Sequence, residues 1–131
     1  MASPTTSTAA ITLLSTLRCI VGIPALITPT SLSSILSLPP TPTAVLLGRL
    51  GGVRDIAFGI ALCAVRSSAM KRNVLSVCVA SDILDMLFIS GCYANGYVGG
   101  YPASVLGGGS LFFMVLGLVG LRGIKAVPVS I

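Results

Sequence analysis

The chain alternates between long apolar stretches and short connections that are polar or rich in turn-forming residues. Four stretches approach the roughly 20 residues that a helix needs to cross a bilayer, and they cover residues 9–27, 44–65, 74–93 and 103–121. Short connections favour antiparallel neighbours in a helical bundle. The pattern predicts an all-α fold: one transmembrane domain over residues 1–131, arranged as an up-down four-helix bundle with both termini on the same side.

The polar ends of the first stretch and its following connection refine this prediction. The first ten residues contain no Lys or Arg, a charge order unlike that of a signal peptide, so the first stretch is expected to be retained. In the connection that follows, Leu32, Ile35 and Leu36 are predicted to form one face of a short interfacial helix. Pro39 and Pro40 are expected to end that helix, because proline cannot donate the backbone hydrogen bond.

Cations flank the stretches on one side only. The first and third connections contain no cation. The cations lie in the second connection and near the carboxyl end: Arg66, Lys71, Arg72, Arg122 and Lys125. By the positive-inside rule both termini are therefore predicted to be cytoplasmic. The tyrosines lie at the opposite interface, where amphipathic rings prefer to sit: Tyr93, Tyr97 and Tyr101.

Composition narrows the possible partners and cofactors. The chain is 54% hydrophobic and 8% charged, with a net charge of +5 and a mean hydropathy of +1.03, which excludes a disordered chain. Because topology accounts for the flanking cations, no nucleic-acid partner is expected. His is absent and the four cysteines form no CxxC pair, so neither a metal site nor a cofactor is predicted. Membrane lipid is the expected surrounding, in the endoplasmic reticulum or another endomembrane.

The remaining charges lie inside the apolar stretches, three of each sign. They are Arg18, Arg49 and Arg54 against Asp55, Asp82 and Asp85. Each costs about 2.5–3.5 kcal/mol at the bilayer centre on insertion scales, so pairing is expected. All except Arg49 lie near the middle of their stretch, and at about 1.5 Å rise per residue they share one depth. Arg49 lies nearer the tyrosine side, either as a helix-end anchor that reaches the interface or as a substrate contact.

Helical periodicity places polar or small residues on single faces. In the third stretch Cys78, Asp82 and Asp85 share a face, with Ser81 at its edge and Ile89 interrupting it. The fourth stretch has a small-residue face that contains Ser110. In the second stretch a face with a GxxxG step permits close helix contact, and it is formed by Gly48, Gly52, Asp55, Gly59 and Cys63.

Two carboxylates one turn apart beside arginines suit acid/base chemistry. In a low dielectric Asp82 and Asp85 resist ionising together, so one is expected to hold a proton while an arginine keeps the other ionised. Arg54 and Arg18 would stabilise developing negative charge, with Asp55 in reserve as a base. The competing interpretation is a buried ion-pair network that fixes helix register and has no chemistry.

The run GRLGGVRDIAFGIAL, residues 48–62, followed by a span with Asp82 near its middle, resembles a fungal family of small four-span membrane proteins grouped with the DoxX-like proteins. The most specific part is the segment from Gly52 to Asp55. The resemblance implies association with secondary-metabolite pathways and a lipophilic substrate, and it implies no particular reaction.

Two functions follow as expectations. The first is a cofactor-independent intramembrane enzyme that opens an epoxide, cyclises or isomerises a lipophilic terpenoid or polyketide intermediate. Its catalytic residues would be the five charges at one depth: Arg18, Arg54, Asp55, Asp82 and Asp85. Its substrate contacts would be Arg49, Ser81, Cys78 and Ser110. The alternative is a non-catalytic scaffold or subunit, with homo-oligomers formed through Gly48, Gly52 and Gly59. Proton or anion movement along the third stretch is a weaker third hypothesis, because Ile89 breaks the polar face.

Overall fold

The protein is all-helical in a computed structural model that describes residues 4–124, with side chains described from residue 6 onward. Five helices follow one another along the chain: α1 Pro4–Ile27, α2 Pro29–Ile35, α3 Pro42–Ala64, α4 Ser68–Ala94 and α5 Gly100–Gly123. The prediction of an all-α chain is confirmed. Lys125, one of the flanking cations, lies outside the described residues.

Each long helix begins before the apolar stretch that predicted it, because the polar residues and prolines that precede the stretch are also part of the helix. At the start of α3, the Thr41 hydroxyl accepts a hydrogen bond from the backbone N–H of Ala44 at 3.2 Å, and Pro42 occupies the first turn, where its missing N–H costs nothing. α4 ends before Gly96, whose φ of 72° suits glycine because it has no Cβ.

The long helices pack as antiparallel pairs. Ser15 of α1 donates to the carbonyl of Gly59 in α3 at 2.7 Å, whereas Gly22, further along α1, meets Gly52, earlier in α3. The same reversal relates α1 to α5, where Ser7 donates to the carbonyl of Gly120 at 2.7 Å. α5 also packs on α4, and the contact between α3 and α4 is sparse.

Glycines let α1 and α3 approach to backbone contact. A Cβ at Gly52 would lie 2.7 Å from the carbonyl oxygen of Gly22, and one at Gly59 would lie 2.9 Å from that of Ser15. Both distances are too short for a real side chain, so the glycine face of α3 is occupied by α1 of the same chain. Gly48 instead faces Pro29 of α2. Homo-oligomers through these glycines stay a prediction, and Gly52 and Gly59 have no free surface to offer one.

The short helix α2 confirms the predicted helix in the first connection but not its predicted face; its place at a membrane interface stays a prediction. Leu36 is buried and Leu32 is half-buried, whereas Ile35 is 67% exposed. The buried side instead carries Pro29 and Ser33. The predicted face is wrong at Ile35, because α2 is rotated so that Pro29 and Ser33, which are four residues apart, face the bundle.

Three helices are long and apolar enough to cross a membrane: Thr6–Ile27, Ser68–Ala94 and Gly100–Gly123. α3 is 23 residues long, but it carries three charges close together: Arg49, Arg54 and Asp55. Its outer surface is nevertheless apolar, with Leu46, Leu47 and Leu50 largely exposed. The described residues therefore have the composition and outer surface of an integral membrane protein.

Candidate functional site

Arg18 is the centre of a charged cluster at the middle of the long helices. Its side chain is fully buried, and its Nη1 donates to Oδ1 of Asp55 in α3 at 2.7 Å. Its Nη2 donates to both carboxylate oxygens of Asp82 in α4, at 2.8 and 2.6 Å. One guanidinium of α1 thus ties α3 to α4, whose direct contact is sparse.

Two aromatic rings flank the same guanidinium. The Cζ of Arg18 lies 4.9 Å from the ring centroid of Phe113 in α5 and 5.4 Å from that of Phe58 in α3. A cation over a ring face is attracted to the ring, more strongly when water is excluded. Sequence reasoning missed both rings, although Phe58 lies three residues after Asp55 and hence on nearly the same face of α3.

A second ion pair lies beside the first and is more open. Arg54 Nη1 and Nη2 donate to the two oxygens of Asp85 at 2.9 and 2.8 Å. Arg54 Nη2 also reaches Oδ1 of Asp55 at 3.5 Å, so Asp55 links the two arginines. The side chains of Arg54 and Asp85 are 34% and 29% exposed, against 2% for Asp82.

Helix geometry explains how neighbouring residues come to serve different pairs. Arg54 and Asp55 project about 100° apart on α3, so Asp55 faces α1 while Arg54 faces the gap towards α4. Asp82 and Asp85 are separated by three residues and lie about 60° apart on α4. Asp82 consequently faces inwards to Arg18, and Asp85 lies at the edge of the gap.

The cluster is not electrically balanced when all of its groups are ionised. It contains two guanidinium groups, on Arg18 and Arg54, and three carboxyl groups, on Asp55, Asp82 and Asp85. Arg49 is exposed, and no ion pair joins it to the cluster among the described residues. The predicted three-to-three balance therefore does not hold within the cluster, and a proton on one carboxyl would neutralise it.

The predicted substrate contacts are scattered. Cys78 is fully buried in the apolar core with Leu14 and Leu75. The Ser110 hydroxyl donates to the carbonyl of Leu106 in its own helix at 3.1 Å. Ser81 is half-buried on α4. The structure brings the five predicted catalytic residues together but adds neither Ser110 nor Arg49 to them.

Two cavities lie within residues 4–124, and the charged cluster lines neither of them. One, of about 680 Å³, lies at the end where α4 begins, and the other, of about 300 Å³, lies between α4 and α5 beside Tyr93. Within the same range, no three His, Cys, Asp or Glu side chains gather in a way that could hold a metal ion.

Comparison with known proteins adds no identification. No protein-family model, no curated protein and no solved structure matches the chain. The resemblance to the fungal four-span family therefore stays a prediction that rests on residues 48–62 and Asp82.

Proposed function

We propose that the chain is a four-span membrane protein with cytoplasmic termini that performs acid/base chemistry on a lipophilic substrate at Arg54 and Asp85. α3 completes the four spans because two of its charges are paired inside the protein: the Asp55 carboxylate lies 2.7 Å from Arg18 and 3.5 Å from Arg54. Arg49 alone must reach the interface, which a long arginine side chain does readily.

One observation carries the chemical part of the proposal: the Arg54–Asp85 pair is about one-third exposed beside helices with an apolar outer surface. A pair that served only to hold helices together would be cheaper if buried, because charge facing hydrocarbon is costly. The exposure gives a membrane-dissolved molecule direct access to a carboxyl group. The cluster has three carboxyl groups against two guanidinium groups, and the proposal places the neutralising proton on Asp85, the carboxyl that such a molecule reaches.

The proposed step needs no cofactor. Protonated Asp85 donates its proton to the oxygen of an epoxide or carbonyl, and in an epoxide the C–O bond breaks with its electron pair moving to oxygen. The carboxylate left on Asp85 is held by both Nη groups of Arg54. Loss of a proton from the carbocation to that carboxylate forms an alkene and restores the acid, so the enzyme ends each turnover unchanged.

The other charges have a positioning role in this proposal. Asp82 is bound by both of its oxygens to Arg18 and has almost no exposed surface, so a substrate reaches Asp85 first. Arg18, Asp55 and Asp82 orient α3 relative to α4 and thereby set the distance across the gap. A terpenoid or polyketide intermediate is the substrate class that the resemblance implies.

The test compares the metabolites of cells that carry the wild-type chain, Asp85→Asn or Arg49→Gln. Asp85→Asn keeps the shape of the side chain but removes its acid, and we expect it to abolish one conversion at unchanged protein level. Arg49→Gln is the matched control, since it removes a charge of α3 that lies outside the cluster, and it should retain the conversion. Full conversion by Asp85→Asn would contradict the proposal.

A non-catalytic scaffold is the second candidate, and the Arg18 network favours it. Arg18 holds both Asp55 and Asp82 through its two Nη groups, while its buried Nε has no hydrogen-bond partner among the described residues. Such pairing between helices is all that a structural role requires. On this alternative every metabolite persists in Asp85→Asn, and a partner membrane protein is lost from the purified complex when an outer face of the bundle is changed. Such a partner would need a surface other than Gly52 and Gly59.

A further inference from the structure

A second polar site is a cavity of about 680 Å³ at the end of the bundle where the flanking cations gather. Its walls come from the first half of α1, the last turns of α3 and α5, and the first turn of α4. It shares no lining residue with the charged cluster. Its size is that of sites for small organic ligands, which occupy about 300–1,000 Å³.

The lining is divided between polar and apolar groups. Among the described residues that line it, Lys71 is the one that is charged, and the Ser68 hydroxyl lies one turn before Lys71 on α4. Ile11, Leu62 and Ile124 supply apolar walls. A cation and a hydroxyl beside aliphatic walls match a molecule with an anionic head and a hydrocarbon chain.

The surroundings of the cavity reinforce its preference for an anion. Arg66, Arg72 and Arg122 are exposed at the same end of the bundle, and together they produce a positive potential that attracts anionic groups. Arg72 also donates to the carbonyl of Ile124 at 3.4 Å, which joins the end of α5 to the first turns of α4. Within residues 6–124, no acidic side chain lines the cavity.

We infer that this cavity binds a phosphate-headed amphiphile, with its phosphate on Lys71 and Ser68 and its chain along Cys63 and Ile124, which line the cavity and are not buried. The apolar walls favour a membrane lipid over free phosphate, because phosphate alone would leave them in contact with water. This inference is independent of the chemistry proposed at Arg54 and Asp85.

Cys63 provides a direct reporter of occupancy. It lines the cavity, its side chain is exposed, and its Sγ lies 2.9 Å from the Ser15 hydroxyl. Cys92 is on α4 near the opposite end and serves as an internal reference. The full chain is reconstituted into phosphatidylcholine vesicles with or without phosphatidic acid, and alkylation of each cysteine by N-ethylmaleimide is followed by peptide mass spectrometry.

Phosphatidic acid is expected to slow alkylation of Cys63 by about tenfold, the factor that corresponds to about 1.4 kcal/mol of binding, and to leave Cys92 unchanged relative to pure phosphatidylcholine. Lys71→Gln should abolish the protection. Arg122→Gln is the matched control: it removes the same charge at the same end of the bundle from a residue that does not line the cavity, so protection should persist.

Four results would overturn the inference. Equal slowing of Cys63 and Cys92, or equal loss of protection in Lys71→Gln and Arg122→Gln, would assign the effect to the surface potential of the vesicle. Protection by inorganic phosphate in pure phosphatidylcholine vesicles would show that a free anion suffices and that no lipid chain is recognised. Unchanged alkylation of Cys63 in phosphatidic acid would show that nothing binds.

Discussion

Replacing Asp82 by Asn tests how strongly the buried ion pairs hold the helices together. The change removes the charge on which two Arg18 hydrogen bonds depend, at 2.8 and 2.6 Å, and leaves the guanidinium with Asp55 as its only carboxylate partner. Breaking a buried pair costs about 3–5 kcal/mol, because the remaining charge is left uncompensated. Since Arg18 keeps Asp55, we expect the lower end, about 3 kcal/mol.

The matched change is Asp85→Asn. It removes an equally bidentate partner, but that pair is about one-third exposed, and with the proposed proton on Asp85 the change replaces one neutral group by another. We expect a cost of about 1 kcal/mol, the net worth of a hydrogen bond. The two variants carry the same substitution at the same depth, and a difference of about 2 kcal/mol between them follows because only Asp82 is a buried charge.

Cys78 reports the difference, because its side chain is fully buried and is alkylated when the bundle opens. In mild detergent, with opening and closing faster than alkylation, the rate follows the population of the open form. We expect Asp82→Asn to raise the rate by about a hundredfold and Asp85→Asn by about fivefold, at about 1.4 kcal/mol per tenfold. Equal rates in the two variants would refute the division into a buried and an open pair.

Two further changes probe the packing around Arg18, and both use the Cys78 alkylation rate. Gly59→Ala places a Cβ 2.9 Å from the carbonyl oxygen of Ser15 and should destabilise the bundle by about 1–3 kcal/mol. The control Gly108→Ala has open space around it and should be neutral or slightly stabilising. Equal effects of the two changes would contradict the close α1–α3 contact. Phe113→Leu removes a ring 4.9 Å from the Arg18 guanidinium and should cost about 1–2 kcal/mol more than Phe112→Leu at its exposed neighbour; no difference would mean that the ring does not stabilise the cation.

The sequence was enough to predict the helices and the depth at which the charges meet. Helical rise is fixed, so Arg18, Asp55 and Asp82 had to lie at one level once the apolar stretches were placed. The order of helices around the bundle and their rotation are not contained in that argument. They decide that Arg18 takes Asp55 and Asp82 and that Arg54 takes Asp85, and periodicity within single helices does not give them.

Two residues show what helix rotation adds to the sequence. Of the two interpretations of Arg49, its exposed position on α3 fits an anchor that reaches the interface. Ile35 was assigned to the buried face of α2 by spacing alone, and the bundle contacts the adjacent face. The cavity beside Lys71 is formed by the ends of four helices, so no pattern within a single stretch of sequence predicts it.

Labelling with dicyclohexylcarbodiimide tests the central claim most directly, that an accessible carboxyl able to carry a proton lies at the apolar surface of the bundle. This hydrophobic reagent enters bilayers and modifies protonated carboxyl groups, and peptide mass spectrometry locates its adduct. The account predicts an adduct on Asp85 and none on Asp82 or Asp55, which Arg18 encloses. An adduct on Asp82 in place of Asp85, or the absence of any adduct, would contradict it.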